Sequence, residues 1–198
     1  MYSAWGKRAF DVLAAMALLV LAAPVMGVVA LLVRRDLGRP VLFRQRRAGR
    51  DGGAFELLKF RTMRDGDGED AARLTRIGRI LRATALDEVP QLWHVLRGQM
   101  SLVGPRPLLP EYAAHYSSRE ATRLSVRPGL CGLAQAQGRN GVPWPARLEW
   151  DARYVERVTF AGDLRLIWRC LRVVLRGQGV NAPGEATMKR LSAAREDP

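Results

Sequence analysis

The chain has 198 residues, enough for a domain with its own core, and 48% of them are hydrophobic, which excludes wholesale disorder. Lys and Arg outnumber Asp and Glu 32 to 19, a net charge of +13 that fits nucleic acid, an anionic membrane surface or phosphorylated small molecules as partners. Cys131 and Cys170 form no CxxC pair, and His94 and His115 lack metal-ligand spacing, so a disulfide framework or zinc site is not expected.

Phe10–Val33 is apolar apart from Asp11 and long enough for a bilayer helix, which needs about 20 such residues. Arg34 and Arg35 follow it where a secretory signal would carry a small-residue cleavage site. Lys7 and Arg8 precede it, so both flanks are basic, whereas a simple span concentrates Lys and Arg on one side. Pro24 removes a backbone donor near the middle, with Gly27 one turn on. A helix broken at Ala23-Pro24 could dip into the bilayer and return, leaving both ends on one side; a kinked spanning helix is the alternative.

Pro40–Gln45 and Ala54–Phe60 read as strands joined by a turn-rich hairpin loop, with Lys59 and Arg61 on one face by alternation. A polar loop over Asp65–Asp70 leads into a helix to Arg82 with Leu74, Ile77 and Leu81 on one face. Pro90 and Gly98 suit the start and end of the next helix, which places Asp87 and Glu88 at or just before its N-terminus. Prolines bar a helix from Val103–Pro110; helices are expected over Glu111–Leu124 and Leu148–Val158, with an extended stretch at Arg127–Gly141 between them. Ala161–Gly177 is amphipathic, with Arg165, Arg169, Arg172 and Arg176 on one face, and suits a membrane interface or a surface helix. Residues 181–198 read as a flexible tail.

Asp87-Glu88 is a carboxylate pair in an apolar setting. One reading is helix capping; the other is a carboxylate nucleophile attacking phosphorus beside Mg2+. Arg106, stiffened by Pro105 and Pro107, and Arg139, set among glycines, could bind phosphate in a two-pronged fashion, with Lys59 and Arg61 adding charge.

KRAFD (Lys7–Asp11), KFRTM (Lys59–Met63), LDEVPQL (Leu86–Leu92), MSLVGPRP (Met100–Pro107), RPGLCGLAQAQGRN (Arg127–Asn140) and DLRLIW (Asp163–Trp168), in that order, resemble the bacterial sugar transferase family, the small monotopic phosphoglycosyl transferases. The resemblance covers about residues 7–177. It implies a helix-rich α+β fold: a re-entrant membrane helix with basic flanks (residues 1–39), then a catalytic domain (residues 40–180) with a small β hairpin and amphipathic interfacial helices around an active site on the cytoplasmic face of the bacterial inner membrane. It implies transfer of a sugar-1-phosphate from a UDP-sugar to polyprenol (undecaprenyl) phosphate, with release of UMP through a phosphosugar–aspartate intermediate on Asp87, as the first membrane step of glycan assembly. Glu88 would position Mg2+ or assist proton transfer, Asp87 and Glu88 would hold the metal, and Arg106 and Arg139 would contact phosphate. The partners implied are UDP-sugar, polyprenol phosphate and the lipid bilayer, with a homodimer compatible and no nucleic acid. Ala23 stands where the family often has serine, His94 where it often has Asn and Gln99 where it often has Asp, which puts local hydrogen bonding in question. The rival readings are a non-catalytic membrane scaffold of glycan assembly and a membrane-tethered nucleic-acid-binding protein, although no nucleic-acid motif is present.

Overall fold

The computed structural model describes residues 2–180 and Leu191. Helix α1 (Lys7–Leu37) is followed by the antiparallel hairpin β1 (Leu42–Ala48) and β2 (Ala54–Phe60), paired from Leu42 with Phe60 to Ala48 with Ala54. β2 has the expected bounds, while β1 reaches three residues further toward the turn than the sequence reading allowed, because Asp51 and Gly52 at positive φ close it tightly. The expected helix over residues 70–82 is two helices, α2 (Asp70–Arg73) and α3 (Arg76–Thr84). Leu74 leaves the helix to bridge Met63, and the Thr75 hydroxyl restarts it by accepting the Gly78 N–H. Gly78 is required there: a Cβ would lie 2.0 Å from the Thr62 carbonyl oxygen.

Then come α4 (Leu92–Leu96), β3 (Ser101–Val103), α5 (Ser118–Ala121), β4 (Gly129–Cys131), α6 (Trp144–Glu156) and α7 (Phe160–Leu175). β3 and β4 pair in parallel. Gly129 lets them approach closely, since its Cβ would meet the Gly104 nitrogen at 2.1 Å. The helix expected over 111–124 is instead a 3-10 turn at Pro110–His115, then α5 with a Ser117/Glu120 capping box, then a second 3-10 turn. Residues 127–141 are extended only through β4 and then form short 3-10 turns. α6 begins at Trp144 rather than Leu148, with Pro145 in its first turn. The fold is helix-rich with two small sheets. Of the tail, only Leu191 is among the described residues, buried against Leu108, Tyr112, Trp144 and Leu148.

α1 is long and apolar enough to cross a membrane. It runs as one helix through Ala23 and Pro24, so the missing proline N–H interrupts the hydrogen bonding and not the helix. Its buried positions are Asp11 and Ala15 near one end and Val29 and Val33 near the other. Ala15 joins the main core with Val95, Met100 and Leu102, while Val29 and Val33 pack on Phe60 and Leu81. Leu13, Val20, Leu21 and Val28 on the outer side are all at least 60% exposed.

Polar bonds fix both ends. Fully buried Asp163 of α7 accepts from Lys7 Nζ at 2.6 Å and from the Tyr2 hydroxyl at 2.7 Å, with the Tyr154 hydroxyl 2.9 Å from its other oxygen. Asp11 accepts the Leu102 N–H, and Arg8 donates to the carbonyls of Val95 and Leu96 at the end of α4. Lys7 and Arg8, read from sequence as a basic flank, therefore bond inward. At the far end Arg61 donates to the Pro40 carbonyl at 2.9 Å and to that of Leu37 at 3.4 Å.

α7 buries a narrow stripe of Asp163, Leu166, Cys170 and Val173. Arg165, Arg169, Arg172 and Arg176 are exposed, and so is a second stripe of Phe160, Leu164, Trp168, Leu171 and Leu175. Cys131 and Cys170 are free thiols, as expected.

Candidate active site

Ala85 adopts a left-handed conformation (φ 56°) and turns the chain out of α3 into a 3-10 turn, Leu86–Gln91, that runs on into α4. Such a conformation is costly for alanine, and it fixes where the next two side chains point. Asp87 is 4% exposed and its Oδ1 has no hydrogen-bond partner among the described residues. Neither this turn nor α4 has a side-chain cap. Asp87 is thus a buried carboxylate with a free oxygen, and the capping reading does not describe it.

Burial, then the neighbouring Glu88 charge, pushes the Asp87 carboxyl up to about 6, against the opposing pull of Lys59, Arg106 and Arg82. Burial also acts on Glu88, but its ion pair with Arg106 outweighs it and holds Glu88 below the ordinary carboxylate range. Glu88 in turn raises the Arg106 guanidinium. The two adjacent carboxyls therefore differ: Glu88 is committed to Arg106, and Asp87 is poised near neutrality.

Lys59 lies on β2, 5.2 Å from the centre of the Phe43 ring; burial lowers its amine and the Asp87 charge partly restores it. Arg139, at φ 52°, donates from Nη2 to the Arg82 carbonyl at 2.9 Å, and its Nη1 is buried without a partner among the described residues. Lys59, Arg106 and Arg139 all act electrostatically on the carboxylate pair. Arg61 does not join them. β2 ends at Phe60, so two-residue alternation no longer applies, and the Arg61 guanidinium turns to Pro40, Leu37 and the Asp65 carboxylate.

Sequence reasoning missed Arg82, whose Nε donates to the Thr62 hydroxyl at 3.0 Å and whose charge acts on Asp87. Its place in the last turn of α3, just ahead of the carboxylates, was the available signal. It also missed Arg47 and Arg147. Burial, then the nearby Arg106 charge, lowers both guanidinium groups to about 10, against the partial opposing pull of Glu88 and Glu111 on Arg47 and of Asp151 on Arg147. Each carries a buried Nε with no partner among the described residues, and Arg147 Nη2 donates to the Arg139 carbonyl at 2.6 Å. A third omission lies behind Arg106: buried Arg123 donates to Asp151 at 2.9 Å and to the Arg106 carbonyl at 2.6 Å. Asp151 shares a helix face with Leu148 and Ala152, and an acid on an apolar face was the clue to it.

Five cations, Lys59, Arg82, Arg106, Arg139 and Arg47, thus act on two carboxylates, with Arg147 beside Arg106 and Arg139. Buried guanidinium groups that outnumber the carboxylates beside them call for anionic ligands, and their planar forks match phosphate oxygens. Among the described residues no group of three or more His, Cys, Asp or Glu side chains could hold a metal. Asp87 and Glu88 alone fit Mg2+, because that ion commonly takes one or two carboxylates, keeps waters and completes its shell with substrate phosphates.

The site departures explain each other. His94 Nε2 accepts the Leu58 N–H at 3.1 Å, which leaves the proton on Nδ1 to donate to Gln99 Oε1 at 2.8 Å. Both nitrogens of the His94 ring are therefore bonded, which ties β2, with Lys59, to α4.

Residues 2–177 match the family described as bacterial sugar transferase. An uncharacterized sugar transferase, EpsL of Bacillus subtilis, is 41% identical over 194 residues, spanning 95% of this chain and 96% of the relative. The UDP-glucose:undecaprenyl-phosphate glucose-1-phosphate transferase of Caulobacter vibrioides is 44% identical, over 86% of this chain and 67% of that protein. The undecaprenyl-phosphate galactose phosphotransferase of Salmonella typhimurium is 35% identical over 87% of this chain, but the match spans only 41% of its length. Match and motifs cover the same residues, and the chain belongs to the bacterial sugar transferase family.

Proposed function

We propose that this chain transfers a sugar-1-phosphate from a UDP-sugar to undecaprenyl phosphate and releases UMP, working from the cytoplasmic face of the bacterial inner membrane. The observation that carries the reading is the Asp87 carboxylate: buried, with an unbonded oxygen, and ringed by cations. In the first step an Asp87 oxygen attacks the β-phosphorus of the donor. The bond from that phosphorus to the bridging oxygen breaks, UMP leaves, and a phosphosugar ester remains on Asp87. In the second step an oxygen of undecaprenyl phosphate attacks the same phosphorus, the acyl-phosphate bond breaks, and the carboxylate is regenerated. Lys59, Arg82, Arg106 and Arg139 hold the phosphoryl oxygens and offset charge on them. Glu88 keeps Arg106 aimed. Mg2+ held by Asp87 and Glu88 would screen the diphosphate charge. The relatives' names supply the acceptor and the reaction class.

The placement of α1 supports work at the bilayer surface. Asp11 and Val33 are about 33 Å apart along a helix, roughly the hydrocarbon thickness, yet both pack on the same body. A span would put those ends on opposite sides of the bilayer; a helix lying in one leaflet keeps them together with its apolar outer side in lipid. This reading replaces an abrupt break at Ala23-Pro24 with a continuous helix that enters and leaves by the same face. The exposed apolar stripe of α7 adds a second contact with the interface.

The test is UMP release from a panel of UDP-sugars with undecaprenyl phosphate. Asp87→Asn should lower it by at least a thousandfold while the protein stays in the membrane fraction. Without acceptor, the wild-type protein should gain a phosphosugar mass on Asp87. Substantial turnover by the Asn variant would sink the assignment.

A further inference from the structure

We propose that the cavity between the first turn of α1 and the Ser125–Arg127 turn is a second anion site, which takes a phosphate group at the bilayer surface. The cavity holds about 130 Å3, and Lys7, Arg8, Arg50, Ser101, Ser125 and Arg127 contribute to its wall. It lies at the other end of β3 from the catalytic cluster: Ser101 opens that strand, and Arg106 follows beyond its far end. No residue around it belongs to the set surrounding Asp87.

Two of the charges in the wall, those of Arg8 and Arg127, are fixed without being neutralised. Lys7 is balanced by Asp163. Arg8 places both terminal nitrogens on the carbonyls of Val95 and Leu96, and Arg127 places Nε on the carbonyl of Gly98 at 2.8 Å. Those oxygens are neutral, so they orient both guanidinium groups and leave the positive charge uncompensated. Arg50 adds a cation from the hairpin turn, held only by an exposed pair with Asp51. One acid, Asp11, shares the wall, and its Oδ1 already accepts the Leu102 N–H beside Lys7. Two oriented guanidinium groups and an exposed third match the oxygens of a phosphate, and the space admits one.

The surroundings place this cavity at the membrane boundary. The exposed apolar side chains of α1 begin at Leu13, two residues after the last α1 residue in the wall. Trp5, 86% exposed, precedes the wall, and tryptophan favours the headgroup level. A phospholipid headgroup or a soluble phosphate could each supply the group. The inference rests on the bilayer placement of α1 and not on the chemistry at Asp87.

The test uses the full-length protein in nanodiscs of phosphatidylcholine, alone or mixed with phosphatidylglycerol, and in phosphatidylcholine nanodiscs with added inorganic phosphate. Native mass spectrometry counts retained lipid, and thermal unfolding reports the phosphate. Wild-type protein should retain phosphatidylglycerol over phosphatidylcholine, or gain Tm with phosphate. Arg127→Gln keeps a donor for Gly98 and removes the charge; Ser125→Asp, at an exposed position, adds an opposing one. Each should weaken the effect about tenfold, as expected for one charge-assisted pair. A response confined to phosphatidylglycerol identifies a lipid headgroup, and a phosphate response that Arg127→Gln weakens identifies a soluble group, since the cluster at Asp87 also attracts phosphate. Equal retention of both lipids with no phosphate effect, or variants that behave as wild type, would overturn the proposal. Asp87→Asn should keep this binding while losing transfer, so the two readings fail separately.

Discussion

Asp87 combines two demands that pull against each other. A nucleophile must be ionised, and burial opposes ionisation. The folded state holds its proton up to about 6, against 3.8 for an unperturbed aspartate carboxyl. Folded protein therefore binds more protons than unfolded protein between those values, and stability falls as pH rises from about 4 to about 6, by about 3 kcal/mol at most. The Asn variant should accordingly melt higher than wild type at pH 8, and the gap should close toward pH 4. Transfer should follow the opposite course: kcat/KM should fall about tenfold per pH unit below about 6, as the carboxylate is protonated. A pH-independent rate down to pH 5 would argue against Asp87 as the attacking group. Arg123 serves Arg106 from behind. Arg123→Lys keeps a cation for Asp151 but loses the fork that also reaches the Arg106 carbonyl. Turnover should fall about tenfold while donor KM changes little, and restoring Arg should restore it; an unchanged kcat would make the pair purely structural.

The hairpin and α4 show how elements hold the site. His94 and Gln99 pin β2, and with it Lys59, to the helix that follows the carboxylates. Gln99→Leu should cost about 1–3 kcal/mol in denaturant unfolding, because the imidazole N–H loses its partner; no change would mean that water replaces it. What was legible at this level came from periodicity and turn residues. The hairpin, α7 and the helix after Pro90 follow local rules, so the sequence declared them. The break at Leu74–Thr75 did not announce itself, because Leu74 fits the apolar face of a continuous helix; its bridge to Met63 is a long-range contact. Arg61 was misplaced for a similar reason. Alternation holds only while the strand lasts, and the strand stops one residue earlier.

Across the molecule, the motifs marked the carboxylates and two of their arginines, while the supporting shell stayed hidden. Arg123 and Asp151 are 28 residues apart, Lys7 and Asp163 156 apart, and no local pattern links either pair. Asp163 gathers Lys7, Tyr2 and Tyr154 at the base of α1. Asp163→Ala should leave Lys7 partly buried without its counter-charge, at a cost of about 3–5 kcal/mol. It should also expose the segment around Trp5 to protease in membrane vesicles; unchanged cleavage would show that the apolar packing of Ala15 holds α1 unaided. The same latch sets an order of events during synthesis. The ribosome delivers Lys7 early and Asp163 only after more than a hundred and fifty further residues. For most of translation the nascent anchor lacks the partner that fastens it, so its final seat is reached only when α7 emerges and closes the loop.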